Sequence, residues 1–438
     1  MERHRAGDLA GALAHYEQML EADPSDPAAL HQAAIAARQL SALRKQHGKP
    51  GLDEECMRLM SLAIAGAPTN AAALHNFGKF HQDRGDLMAA QAAYLRALEI
   101  DPKQAATWVN LGNILMDLGD RQAGEECWDR ACALPLSAGD PFFNRSFVKL
   151  ARGEYREGWR EYEQRWAAPE FLNSYGRPDL VAPFWNGGQF PGTLLLHGEQ
   201  GAGDMLMMAR YVPLAAARGG RVILEVYDSL VGLLRRAFPE IEVFARGDTF
   251  GGYALQLPMM SLPAVMETTL DTVPPPIPFV PWKPRPRPER HVGVVWAGSP
   301  THPNDRARSM TVEAAAGLVA PIDGIRWRSL QIGTRELELA GLTPPAVNDF
   351  LDTAILLSKL DAVITVDTSV AHLAGSIGVP TFLLVPVHAE WRWLIDRTDS
   401  PWYPSMAIVR QPAAGDWPGV VASARAQLVA HFTLRKAA

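Results

Sequence analysis

Along the first third of the chain, apolar residues recur with helical spacing, and that helical pattern itself repeats. Gly51, Gly85, Gly119 and Gly153 stand 34 residues apart, and Tyr94, Trp128 and Tyr162 follow at the same step. Leu74, Trp108 and Phe142 open the first helix of each unit. Gly78 and Gly112 fall where two helices must approach closely, and Pro68 and Pro102 end the second helix. The pattern predicts antiparallel helix pairs, one pair per 34 residues. Further upstream, Gly7, Tyr16, Pro24, Leu30 and Ala34 match the next unit at a spacing of 44. About ten extra residues, around Arg44 to Gly51, are therefore expected to lengthen one interhelical loop. The first unit opens at its glycine turn, which leaves two expectations: a lone capping helix, or further chain upstream.

After Trp166 the period disappears, and short β-rich runs alternate with helical stretches. The first series is TLLLH at 193–197, a helix from about Asp204, VILEVY at 222–227 and then the helical SLVGLLRRAF. The second is VGVVW at 292–296, RWRSLQ at 326–331, DAVITVD at 361–367 and TFLLVP at 381–386. Both read as βαβ units with mostly parallel sheets. Between them the proline-dense VPPPIPFVPWKPRPRPER, near 273–290, predicts a stiff extended linker on which Arg285, Arg287 and Arg290 are solvated charges. The expected fold is an α superhelix followed by two Rossmann-like α/β lobes. The expected domains are 1–166, 167–285 and 286–438.

With 438 residues, about three units of ~150 residues are expected, and 47% apolar content is ample for their cores. Lys and Arg number 42 against 48 Asp and Glu, a net charge of −6, so no basic excess is available for a nucleic-acid backbone. No apolar run is long enough to span a bilayer, and MERHRAGDLAGALAHY lacks the apolar core of a secretory signal. A cytoplasmic location is the expectation. Cys56, Cys127 and Cys132 have neither CxxC spacing nor a histidine partner, so they read as small buried hydrophobes rather than disulfide or zinc ligands.

Candidate chemistry sits at strand ends, where doubly wound sheets bind ligands. HGEQGAGD follows the first strand, with Gly198, Gly201 and Gly203 allowing a tight turn into the next helix. WAGSPTHPNDRARS and VDTSVAHLAG occupy matching places in the second series. Thr368, Ser369 and the amides after them, at a helix start, suit a diphosphate, and Arg306 and Arg308 can neutralise a departing phosphate. No metal is required by such a site. Structural readings stand beside these. Asp204 can serve as a helix cap, and His372 as a buried histidine bonded to a backbone carbonyl. Trp391, Trp393, Trp402 and Tyr403 read as aromatic packing, with Arg392 among them the better ligand candidate. Glu199 and Gln200 either orient an acceptor or simply shape the loop.

GEQGAGD at 198–204, VGVVWAGSP at 292–300, NDRARS at 304–309, DTSVAHLAG at 367–375 and EWRWLIDRTDSPWYPSM at 390–406 resemble the GT-B glycosyltransferases of the heptosyltransferase-like superfamily (glycosyltransferase family 9). The resemblance spans about residues 180–425. The first part of the chain, roughly 1–166, resembles the tetratricopeptide repeat family through Trp108, Leu111 and Gly112, with Trp128 in the tyrosine position. The combination is similar to the O-GlcNAc transferases. The resemblance implies a GT-B fold and transfer of a sugar from a nucleotide-sugar without metal or other cofactor. It makes Asp204 the acceptor-side catalytic residue, acting as general base or orienting the hydroxyl, within a loop of Glu199, Gln200, Gly201 and Gly203. It assigns the donor to Trp296, Gly298, Ser299, Arg306, Arg308, Asp367, Thr368, Ser369, His372 and Arg392. Heptosyltransferases carry lysine where this chain has Arg308, which keeps the charge and changes the sugar contact. Inversion is favoured over retention; hexosyl, heptosyl and nonulosonyl transfer stay open. The repeats are expected to present a protein acceptor, modified on Ser or Thr, with flagellin-like targets one class. The alternatives are repeats that pair copies of the chain and a catalytically inactive scaffold that binds partner and nucleotide.

Overall fold

A side chain on Gly78 would place its Cβ 2.6 Å from the Tyr94 ring, and one on Gly112 would lie 2.5 Å from the Trp128 indole. The aromatic of each second helix thus fills the space that glycine leaves on the first, and this explains why the two residue types repeat together. The computed structural model, which describes residues 2–5, 7–135, 140–302, 304–332, 342, 345–413 and 415–434, divides into two units, Met1–Arg145 and Ser146–Ala438.

The first unit contains the helices Leu9–Ala22, Pro27–Gln46, Asp53–Gly66, Ala71–Asp83, Leu87–Ile100, Ala105–Asp117 and Arg121–Cys132. Asp8, Asp26, Asn70, Asp86 and Asp120 cap helix starts with their side chains, each contributing about 1 kcal/mol. Gly7, Gly85 and Gly119 take the left-handed turns between paired helices, at φ 81°, 77° and 89°. The extra residues near Arg44 do not simply lengthen a loop. They extend Pro27–Gln46 to 20 residues, where Ala71–Asp83 and Ala105–Asp117 have 13. The turn is displaced with them, so Gly48 at φ 68°, not Gly51, adopts the left-handed conformation. Cys56 and Cys127 are buried in the helical core, and burial pushes both thiols up to about 11.

The second unit begins before Trp166. Helix Tyr155–Tyr162 and the 3-10 turn Glu163–Ala167 belong to it, although Gly153 and Tyr162 keep the repeat's register. The physical reason is aromatic packing: the Tyr155 hydroxyl accepts from Trp402 Nε1 at 2.8 Å, and Trp159 packs edge-on against Trp391, ring centroids 5.0 Å apart.

Two parallel sheets follow. The strands β1 (Thr193–His197), β2 (Arg221–Val226), β3 (Glu242–Ala245) and β4 (Leu255–Pro258) are ordered β3-β2-β1-β4. The strands β5 (Arg290–Val295), β6 (Ile325–Ser329), β7 (Ala362–Val366), β8 (Thr381–Val385) and β9 (Met406–Arg410) are ordered β6-β5-β7-β8-β9. Strands β7 and β8 are buried along their whole length, as expected of central parallel strands covered on both faces. Edge strand β6 alternates, with Arg326 and Arg328 exposed and Ile325 and Trp327 half-buried.

The proline-rich segment between the sheets has no regular structure, yet it is pinned to the second sheet. Trp282 Nε1 donates to Leu360 O at 2.9 Å, Arg287 Nη2 donates to Lys359 O at 2.8 Å, and Arg287 and Arg290 both approach the buried Asp361 carboxylate. Arg287 and Arg290 are therefore structural ion-pair partners, not solvated charges. Arg210, 3% exposed, bridges the lobes by donating to Pro274 O and Trp402 O.

Candidate active site

The carboxyl ends of β1 and β7 each feed a loop that turns into a helix, Ala202–Met208 after β1 and Ser369–Ile377 after β7. These two helices pack together at their starts. A Cβ on Gly203 would lie 2.8 Å from the His372 ring and 3.4 Å from Ser369 Cα, so glycine is what permits the approach. Between the loops lies a cleft of about 480 Å³. Of the residues expected from the sequence, Gln200, Gly201, Gly203, Asp204, Ser299, Arg308, Asp367, Thr368, Ser369, His372 and Arg392 line it. Phe147, Tyr175, Ala202, His302, Glu390 and Trp391 complete the lining.

On the wall that follows β1, Asp204 sits in the first turn of its helix. Its Oδ2 accepts from Gly201 N at 2.9 Å, and its Oδ1 is ion-paired with Arg392. The carboxylate therefore both caps the helix and faces the second lobe. Gln200 is fixed from both sides: its Nε2 donates to the Tyr162 hydroxyl, and its carbonyl accepts from Tyr227, each at 2.6 Å.

Glu199 does not face the cleft. Its side chain is fully buried and accepts from Arg165 Nη2 at 3.0 and 3.3 Å. Arg165 also donates to Glu163 Oε1 at 2.6 Å and Ser261 Oγ at 2.7 Å. Burial pushes the Glu199 carboxyl up to about 7 against the pull of Arg165.

On the opposite side, Thr368 caps helix Ser369–Ile377 from an extended conformation without a side-chain hydrogen bond to it, and Thr368, Ser369 and His372 at this helix start line the cleft. Arg308 lies beside them, its Nη1 donating to Asp367 O at 3.2 Å. Gly298 serves Arg308 indirectly: a Cβ there would meet the guanidinium at 2.7 Å. Trp296 is in the core, with its backbone N–H donating to Gln331 Oε1, and Arg306 is exposed away from the lining. Trp296, Gly298 and Arg306, expected as donor ligands, are not among the residues that line the cleft.

Burial raises Asp367 to about 6, with Glu390 adding to the effect, and lowers His372 to about 3. His372 is neutral. Its Nδ1 is bonded to the Tyr403 hydroxyl at 2.9 Å and its ring stacks on Trp393, so a side chain rather than a backbone carbonyl satisfies it. Trp391, Trp393, Trp402 and Tyr403 are all buried, as packing residues are, and Trp391 in addition borders the cleft. Arg392 lies over Trp391, Cζ 4.5 Å from the ring centroid. Burial alone would lower its pKa; the Asp204 and Glu390 carboxylates hold it above the ordinary value.

His302 and Glu390 were not legible as site residues. The only signal for His302 is its place in the loop after β5. Its Nδ1 accepts from Asn304 N at 3.1 Å, which leaves Nε2 to carry the proton of the neutral ring. Among the described residues, no group of three His, Cys, Asp or Glu side chains is arranged to hold a metal ion, and no helix is long and apolar enough to cross a membrane.

The family described as TPR repeat matches residues 81–119, and the family described as tetratricopeptide repeat matches residues 105–135. The N-terminal region therefore contains tetratricopeptide repeats. Protein FlbA of Caulobacter vibrioides is 26% identical, over 92% of this chain and 72% of that protein. Among solved structures, MamA is 17% identical with a TM-score of 0.32, covering 40% of this chain and 96% of its own. PilF of Pseudomonas aeruginosa is 18% identical with a TM-score of 0.33, covering 37% of this chain and 70% of its own. A thermophilic TPR protein of Thermus thermophilus is 20% identical with a TM-score of 0.32, covering 39% of this chain and 89% of its own.

Proposed function

We propose that the protein is a glycosyltransferase of GT-B architecture that moves a sugar from a nucleotide-sugar to a hydroxyl, with a protein acceptor brought by the repeats. One observation carries the reading: a single cleft between two parallel-sheet lobes holds a carboxylate, Asp204, on one wall and an anion-binding set, Arg308 with the Thr368–Ser369 helix start, on the other. In the reaction, the acceptor oxygen attacks the anomeric carbon. The carbon–oxygen bond to the diphosphate breaks with its electron pair on the phosphate oxygen, and the hydroxyl proton passes to Asp204. Arg308 and the helix amides stabilise the charge that develops on the leaving phosphate. Tetratricopeptide repeats stack into a superhelix with a groove suited to an extended peptide, which supports a protein acceptor; modification on Ser or Thr and a flagellin-like target rest on the resemblance to repeat-bearing transferases alone. The alignment to FlbA takes in both parts of the chain, which supports their working together.

A second reading, a repeat scaffold that binds nucleotide without turnover, is favoured by one feature: both oxygens of Asp204 already have partners. The discriminating experiment is nucleotide release from a panel of sugar donors, with and without a flagellin-type acceptor, for wild type and Asp204→Asn. Acceptor-dependent release that falls at least ~100-fold in Asp204→Asn supports the transferase. Absence of release from every donor supports the scaffold.

A further inference from the structure

Resting on that reading of the cleft, we propose that Arg392 is a positioning residue that keeps the Asp204 carboxylate engaged until a donor phosphate takes over its guanidinium, so that the donor must bind before the acceptor hydroxyl can be deprotonated.

The two cleft arginines are held differently. Arg308 is hydrogen-bonded to a neutral backbone carbonyl, Asp367 O at 3.2 Å, and its approach to a carboxylate is a long one, Nε to Asp305 Oδ1 at 4.0 Å, on an edge that its Nη atoms do not need to meet a phosphate. Arg392 is ion-paired with Asp204 through Nη2, its Nη1 is 3.5 Å from Glu390 Oε2, and its buried Nε has no hydrogen-bond partner among the described residues. A guanidinium is a planar fork suited to two phosphate oxygens, and here one donor is unused while another is spent on the candidate base. Asp204 in turn has Gly201 N–H on Oδ2 and Arg392 on Oδ1, so the guanidinium occupies the oxygen turned to the second lobe and competes there with an acceptor hydroxyl.

The exchange is local. Arg392, Ser369 and Asp204 line the same cleft, and the guanidinium lies over the Trp391 ring, a flat surface on which it can turn while keeping its cation–π contact. An anion at the Ser369 helix start and Asp204 therefore compete for one cation. Competition of this kind is a coupling between the two halves of the site, and it is reciprocal: whatever weakens the Asp204–Arg392 pair tightens the anion.

The test is calorimetric titration of the full chain with inorganic pyrophosphate in a double-mutant cycle. Asp204→Asn is expected to tighten pyrophosphate about tenfold in the wild-type background and by less than about twofold in an Arg392→Gln background. Arg392→Lys, which keeps the charge, is expected to restore part of the coupling; it carries the cycle if Arg392→Gln does not fold. A gain that persists undiminished without Arg392 would mean that Asp204→Asn merely removes negative charge from the cleft, and the proposal fails. No gain in the wild-type background overturns it as well. In both cases pyrophosphate binding itself, weakened at least about tenfold in Ser369→Ala or Arg308→Ala, keeps the anion site intact. Pyrophosphate binding by none of the proteins would instead remove the anion site, and the transferase reading with it.

Discussion

Arg165 and Glu199 form an ion pair that is wholly buried, Nη2 to Oε1 at 3.0 Å, and it joins the 3-10 turn after the last repeat helix to the loop that carries Asp204. Ser261 and Glu163 close the cluster, with Ser261 Oγ donating to Glu163 Oε2 at 2.9 Å. The loop that leads into the helix of Asp204 is therefore anchored from behind by charge, and by Gln200 against Tyr162 beside it. Breaking such a pair from one side leaves an uncompensated buried charge. Arg165→Met is expected to destabilise the second unit by about 3–5 kcal/mol, and Arg165→Met with Glu199→Leu by clearly less. Denaturant unfolding of the single and double variants measures both. With Glu199→Leu alone as the third variant, a double variant destabilised by the sum of the two single losses would mean that the two residues act independently.

The cations of the cleft set the second expectation. Arg308→Ala and Ser369→Ala should each weaken nucleoside-diphosphate binding by about 10- to 100-fold, since a hydrogen bond to a charged group is worth about 1.5–3 kcal/mol. Because guanidinium and helix amides are the candidate phosphate ligands, turnover should survive EDTA. Titration calorimetry and an EDTA-treated assay check these, and a complete, Mg²⁺-reversible loss of turnover would contradict the second.

Much of this arrangement is written locally in the chain. The Gly78–Tyr94 and Gly112–Trp128 pairs are visible as a 34-residue step because each is a contact within one repeat. Strands β1, β2, β5, β7 and β8 are apolar runs because both faces of their sheets are covered. Strands β3, β4 and β9 escaped because they are short or flanked by breakers: EVFA is partly exposed, LQLP ends in proline, and β9 follows a segment dense in turns. In the cleft, Asp204, Thr368 and Ser369 were legible because they begin helices after strands. The inward turn of Glu199 was not, since its partner Arg165 lies 34 residues upstream in what reads as a repeat. Nor was the pairing of Asp204 with Arg392, 188 residues away, which depends on the two lobes facing each other.

Acidification should destabilise the second unit through two buried imidazoles. Burial lowers His372 from 6.5 to about 3 and His197 to about 4, so the unfolded chain binds protons that the folded one refuses. The stability these neutral rings confer is present above about pH 6.5 and is lost as the pH falls toward the folded values. Between pH 6.5 and 5 each contributes a loss of about 2 kcal/mol, at 1.36 kcal/mol per pKa unit. His372→Gln should flatten the fall in stability between pH 7 and 5 although it also removes the bond to Tyr403. Urea unfolding at the two pH values reads the difference directly, and an unchanged pH slope would show that His372 takes up its proton at the same pH in the folded and the unfolded chain.

The role of the repeats is tested by where the chain is cut. Residues 146–175 belong to the second unit, so removal of everything before residue 176 takes Tyr155 from Trp402, Trp159 from Trp391 and Arg165 from Glu199. That fragment is expected to aggregate, and its inactivity would say nothing about acceptor recognition. A fragment of residues 140–438 keeps helix Asp140–Arg152 whole and retains every one of those contacts. It is expected to melt in one cooperative transition and to bind pyrophosphate and hydrolyse donor like the full chain. If the repeats read the acceptor as proposed, it should lose modification of a protein acceptor. If residues 140–438 modify the protein acceptor at the full rate, the repeats do not read it, and pairing of chain copies becomes the role to test by sedimentation. If donor hydrolysis persists while protein modification disappears, substrate choice resides in the repeats and the chemistry in the cleft of Asp204.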